Sequence, residues 1–166
     1  MISFKYKYIK TRNHPGKGQA RLLGFTLVEL LISVAIMGTL ASMAMMGYRQ
    51  LIEKTRRNVV IQELNSIQNY IEIYFQENGE LPDSLDDLGM GTFEDPWGNP
   101  YRYQAVDKVP PGKLRKDHFL VPLNTDYDLW SMGPDGQSVP PLTGNQSRDD
   151  IIRATDGEFI GPASEF

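Results

Sequence analysis

The chain has 166 residues, 40% of them apolar and 23% charged, enough for one folded domain and an accessory segment. It has no Cys, which excludes disulfides, thiolate zinc sites and a Cys nucleophile. The net charge of −4 hides a split: Lys5, Lys7, Lys10, Arg12, Lys17 and Arg21 stand in the first 24 residues without an acid. The other 11 of the 17 basic residues face all 21 acids in residues 25–166, an acidic body that is a poor partner for nucleic acid.

Residues 1–24 are basic and polar, broken by Pro15-Gly16-Lys17-Gly18, and no stable fold is expected there. Phe25 to Tyr48 is nearly all apolar. As a helix this run covers roughly 36 Å, enough for a bilayer core of about 30 Å. The six leader charges outnumber Arg49, Lys54, Arg56 and Arg57 beyond the span, so the leader is expected on the cytoplasmic side. From Tyr48 to Asn78 there is no Gly or Pro, and Val60, Leu64, Ile67, Ile71 and Tyr74 form one apolar stripe at helical spacing. Gly79 suits a left-handed helix end, with Pro82 just beyond. One long helix is therefore expected, apolar all round in its first half and amphipathic in its second.

The pattern then changes. Pro82 to Leu88 reads as a short helical turn with acids near its start. Asp95-Pro96-Trp97-Gly98-Asn99-Pro100 is a dense turn cluster. Tyr101–Val106, His118–Leu123 and Tyr127–Met132 are rich in aromatic and branched residues and predict strands, the first two as a hairpin around a Pro-Gly-Lys loop. Gly133 to Phe166, rich in Gly, Pro, Ser and Asp, predicts loop, with a turn of helix over Asp150–Ala154. Trp97, Trp130, Tyr101 and Tyr103 are expected to pack the sheet onto the helix.

The residues that carry chemistry are Gly24-Phe25-Thr26-Leu27-Val28-Glu29. An acid at the centre of a span costs about 2.5–3.5 kcal/mol on the translocon scale, less for Glu29 near one end, and such a residue needs a partner. A basic leader, then Gly, then Phe-Thr-Leu-Val-Glu, then an apolar run resembles the class III signal of type IV pilins and type II secretion pseudopilins. The resemblance implies that a prepilin peptidase cuts after Gly24 and methylates the new N-terminal Phe25. It implies that Glu29 neutralises the N-terminal amine of a neighbouring subunit during filament assembly. The competing reading is an ordinary signal peptide cut after Ser42-Met43-Ala44, leaving Met45 first. The apolar run is too long for that reading and contains Glu29.

Asp95-Pro96-Trp97-Gly98-Asn99-Pro100-Tyr101-Arg102-Tyr103, with Tyr127-Asp128-Leu129-Trp130-Ser131-Met132-Gly133-Pro134-Asp135-Gly136, is similar to the major pseudopilin of type II secretion. The resemblance implies an α+β, pilin-like fold: a long N-terminal transmembrane and amphipathic helix packed on a small antiparallel β-sheet, with a loop-rich C-terminus. It divides the chain into a cleaved basic leader (1–24), the transmembrane half of the helix (25–48), its amphipathic half (49–79) and a small periplasmic α+β domain (80–166). Three features depart from the family. The leader is long, Met45-Met46-Gly47 stands where a helix-bending Pro is common, and the tail Ser147–Gly157 lacks the usual acidic Gly-rich ending.

The family also holds calcium in its C-terminal loop, which the resemblance places at Asp135 and the Met132 carbonyl. The second family acid falls near Pro141 or Leu142, so Asp149, Asp150 or Asp156 would have to replace it by another loop path. Asp135-Gly136 serves equally as a plain turn. No organic cofactor is implied.

The expected function is that of a structural subunit of a type II secretion pseudopilus. Its implied partners are copies of itself, minor pseudopilins, the prepilin peptidase, an inner-membrane assembly platform and the membrane, and its implied location is the inner membrane with a periplasmic domain. The alternative is a type IV pilin, major or minor, acting in adhesion, motility or DNA uptake. No Gly-x-Ser-x-Gly, P-loop or His-Glu-x-x-His occurs, so no enzyme is expected. His118 reads as a solvated or packed side chain, and the Asn145-Gln146-Ser147 sequon as chance.

Overall fold

The computed structural model describes residues 24–89 and 93–166; the expected leader, apart from Gly24, lies outside the described residues. The chain divides between Met43 and Ala44 into two compact units. Helix α1, Leu27–Asn78, begins in the first and ends in the second. Gly47 and the absent Pro leave no break in its assignment as α-helix. Its end is as expected: Gly79 takes φ 79° and its N–H donates to Phe75 O at 2.8 Å, closing the last turn.

In the second unit, α1 lies on a four-stranded antiparallel sheet of β1 (Arg102–Ala105), β2 (Tyr127–Ser131), β3 (Ile151–Ala154) and β4 (Phe159–Pro162), in the order β1-β2-β3-β4. Val60, Leu64, Ile67 and Ile71 of the stripe are buried against Tyr101, Tyr127, Leu129 and Ile151. A 3-10 turn, Leu85–Leu88, closes one end of this core, its Ser84 N–H bonded to the Asp87 carboxylate at 2.8 Å. Pleat alternation sends Ile152, Ala154 and Trp130 to the opposite face, where they pack with Leu123, Leu142, Phe159 and Ala163. Trp97, Tyr101 and Tyr103 therefore pack toward the helix as expected, and Trp130 does not.

Two expectations are corrected. His118–Leu123 is a turn over 118–120 followed by a single antiparallel bridge from Pro122 to Lys116, not a strand, and the partner of β1 is β2, paired from Arg102–Trp130 to Ala105–Tyr127. The Asp117 carboxylate accepts the N–H groups of Phe119 (2.7 Å) and Val121 (2.8 Å), Leu120 takes φ 64°, and Pro122 has no N–H for a ladder. Local side-chain bonding overrides the β propensity of Phe-Leu-Val.

The C-terminal stretch read as loop contains β3 and β4, paired from Ile151–Pro162 to Ala154–Phe159, so Asp150–Ala154 is interior strand β3 and the residue before it rather than helix. All four residues of β3 are buried, Arg153 included, which removes the polar–apolar alternation that marks a half-exposed strand. Arg153 is tolerated there because its guanidinium is fully engaged. It makes two 2.8 Å bonds to Asp126, one to Gln68 at 2.8 Å and one to Tyr127 O at 3.0 Å, with its carbon 3.9 Å from the Tyr127 ring centroid.

Candidate functional site: the helix N-terminus

Thr26 stands at the N-cap of α1 and forms a reciprocal ring with Glu29. The Glu29 Oε2 accepts the Thr26 N–H at 2.9 Å and the Thr26 hydroxyl at 2.8 Å, while the Glu29 N–H donates to Thr26 Oγ1 at 3.2 Å. This is a capping box, and Thr-x-x-Glu was its signal in the sequence. The sequence reading took Glu29 as an acid in need of a neighbour and missed Thr26, which holds the carboxylate at the very start of the helix. The cap leaves lone pairs of the carboxylate free for a further charged partner.

Gly24 and Phe25 directly precede this box in non-helical backbone, and Phe25 is 85% exposed. Every residue from Gly24 to Leu51 is exposed, including Leu27, Leu30, Leu31, Ile32, Val34 and Ile36. None of the helix's most apolar window is buried in the chain. Apolar surface on this scale calls for lipid or other helices to cover it.

The two aromatic motifs meet in the second unit. Asp95 Oδ1 accepts the N–H groups of Trp97 (3.1 Å) and Asn99 (2.9 Å), and its Oδ2 accepts the Ser131 hydroxyl at 2.6 Å. Asn99 Nδ2 donates to Gly133 O at 2.7 Å, and Trp97 Nε1 donates to Glu53 on α1 at 3.2 Å. The turn cluster is thus a clamp joining helix, strand β2 and the loop after it.

That loop carries the candidate calcium residues. Asp135 and Asp149 are brought together: the Asp135 N–H donates to Asp149 Oδ2 at 3.3 Å, and Asp135 Oδ1 accepts the Gln137 N–H at 2.8 Å. Met132 lies one residue before Gly133, where a Cβ would fall 2.4 Å from the Asp149 carbonyl oxygen. Asp150 is drawn elsewhere. It is fully buried, and its Oδ2 accepts from Arg115 Nη2 and the Ser138 hydroxyl, both at 2.6 Å. Asp156 caps Thr125, at 2.7 Å from both its N–H and its hydroxyl.

No three acids or histidines converge on a metal position among the described residues. A hard cation needs several oxygens converging on one point; Asp135 and Asp149 are adjacent, but the Asp150 carboxylate is taken by Arg115 and that of Asp156 by Thr125, so the candidates do not form one donor set in this arrangement. Arg115 supplies the cation that Asp150 faces. Its Nη1 bonds Ser138 Oγ and Val139 O, both at 2.5 Å, tying the 138–150 loop to the sheet. Burial lowers the guanidinium's pKa and raises that of Asp150, and in each case the partner's charge opposes the shift.

Residues 23–45 match the prokaryotic N-terminal methylation motif, so the motif covers Gly24, Phe25 and Glu29. Core protein G of the type II secretion system of Klebsiella pneumoniae is 28% identical over 144 residues, covering 83% of this chain and 98% of that protein. This chain resembles core protein G along most of its length. Core protein G of Escherichia coli strain K12 is 27% identical, covering 69% of this chain and 83% of its own. Fimbrial protein Q of Moraxella bovis is 34% identical over a shorter stretch, 42% of this chain and 48% of its own. No solved structure matches.

Proposed function

We propose that this chain is a structural subunit of a type II secretion pseudopilus, not a catalyst. It is held in the inner membrane by residues 25–48, with the 80–166 domain in the periplasm. The observation that carries this reading is the methylation motif on a helix whose N-terminal apolar run is wholly unburied, in a chain resembling core protein G over most of its length. Cleavage between Gly24 and Phe25 frees an amine one residue before the Thr26 cap. Methylation leaves that amine basic.

In the filament, the amine of one subunit meets the Glu29 carboxylate of the next. Both charges are costly alone in lipid, so the pair sets the stagger of neighbouring helices. Growth from an assembly platform, capped by minor pseudopilins, pushes exported proteins through an outer-membrane channel.

Glu29→Ala tests the mechanism. The variant is expected to be cut normally by the prepilin peptidase and to give at least tenfold fewer filaments by electron microscopy. Normal filament numbers would remove charge pairing. The match to fimbrial protein Q keeps a type IV pilus as the second reading. Loss of exoprotein secretion on deletion supports the first reading; loss of twitching or adhesion with secretion intact supports the second.

A further inference from the structure

Two surface features of the second unit, an apolar tip and a hollow of mixed apolar and polar lining, differ in shape and charge. The first is the tip Phe119-Leu120-Val121, exposed by 86%, 63% and 55%. It is held in shape. Besides the two bonds onto the Asp117 carboxylate, the Asp117 N–H donates to Val121 O at 2.8 Å, and Lys116 is tied on both sides to the 140–142 segment. Three consecutive apolar side chains on a tied turn, with Leu120 in the left-handed region, are an expensive surface to leave in water. Lys116 and Arg148 flank this end of the domain, and neither forms an ion pair among the described residues; the tip's own acid, Asp117, is turned onto the Phe119 and Val121 N–H groups, and Asp149 lies beside Arg148 with its carboxylate on the Asp135 N–H.

The second patch is a hollow of about 280 Å³ between the end of α1 and the 3-10 turn. Tyr70, Ile73, Tyr74 and Leu88 line it, and the acids Glu77 and Asp87 border it. Ile73 is 51% exposed. Tip and hollow stand at different ends of the α1 segment in this unit. The tip's neighbour His118 shares a cleft with Ala163 and Ser164, and the next residue, Glu165, lines a second cleft with α1 residues between Gln50 and Ile61. The hollow begins at Tyr70, and Tyr74 lies about 25 Å further along the helix than Arg57 at 1.5 Å per residue.

We propose that the Phe119–Val121 tip of one copy seats in the Tyr70–Leu88 hollow of another, with Lys116 and Arg148 facing Glu77 and Asp87. The partner is a second copy of this chain because one molecule carries both halves, apolar to apolar and basic to acidic. Since the two patches are different surfaces at different ends, the contact is head-to-tail and does not close into a dimer. It repeats along a filament, and in this it rests on the filament reading above. It adds a contact between the globular domains to the helix-to-helix contact at Glu29.

The absence of Cys makes the test clean. Val121→Cys and Ile73→Cys are introduced singly and together into the full chain, in cells carrying the assembly machine. Wild-type filaments are scored first by electron microscopy, and their absence removes the filament reading and this contact together. With filaments present, oxidation is expected to give a ladder of dimers, trimers and higher species only in the double variant. Filaments without a ladder, or cross-links running only to a different protein, would overturn the contact and leave the filament reading standing. Should the double variant not assemble, Phe119→Asp decides. With an unchanged melting temperature in detergent, it is expected to lower filament number at least tenfold, and normal numbers would overturn the proposal.

Discussion

Arg115 joins segments that are distant in sequence. Its backbone N–H donates to the buried Asp128 carboxylate at 2.8 Å, while its guanidinium reaches Ser138, Val139 and Asp150. With Arg115 3% and Asp150 0% exposed, removing one partner leaves the other charge buried. Arg115→Met is therefore expected to destabilise the domain by about 3–5 kcal/mol, measured by urea unfolding of the detergent-solubilised chain. A loss under about 1 kcal/mol would mean that the pair is not buried. A ligand stabilises only the state that binds it, so adding calcium or a chelator to the wild-type chain is expected to move Tm by less than about 1 °C. None of this was legible in the sequence, where Arg115 is one of many charged residues and Asp150 reads as a candidate metal ligand. The pairing depends on a separation of 35 residues that only the folded sheet closes.

At the scale of elements, α1 was readable because its signals are local: an apolar run, a stripe at helical spacing and a terminal Gly. The capping box at Thr26–Glu29 is equally local, written in Thr-x-x-Glu. Strands β3 and β4 were hidden for the opposite reason. Their residues are buried on both faces or carry Gly and Pro, as in the Phe-Ile-Gly-Pro of β4, so composition pointed to loop. The turn at 118–121 erred the other way, with β-prone side chains held outside the sheet by Asp117. The apolar stripe of α1 carries the main core, and Leu64 at its centre has no exposed surface. Leu64→Ala is expected to cost about 2–5 kcal/mol in the same unfolding assay. A cost below about 1 kcal/mol would place α1 outside the core.

The molecule as a whole combines two kinds of surface. The helix from Leu27 to Leu51 offers apolar side chains and no cover of its own, and the acidic remainder is built to face water. In the proposed maturation, removal of the leader before Gly24 would leave an apolar helix end with a free amine close to the capped Glu29 carboxylate. The intact mass of the chain, purified from cells with and without the prepilin peptidase, tests this account most directly. With the peptidase, the mass is expected to be that of a chain starting at methylated Phe25; without it, that of the full precursor. A chain that keeps its leader in the presence of the peptidase, or one that starts at Met45, would contradict the account.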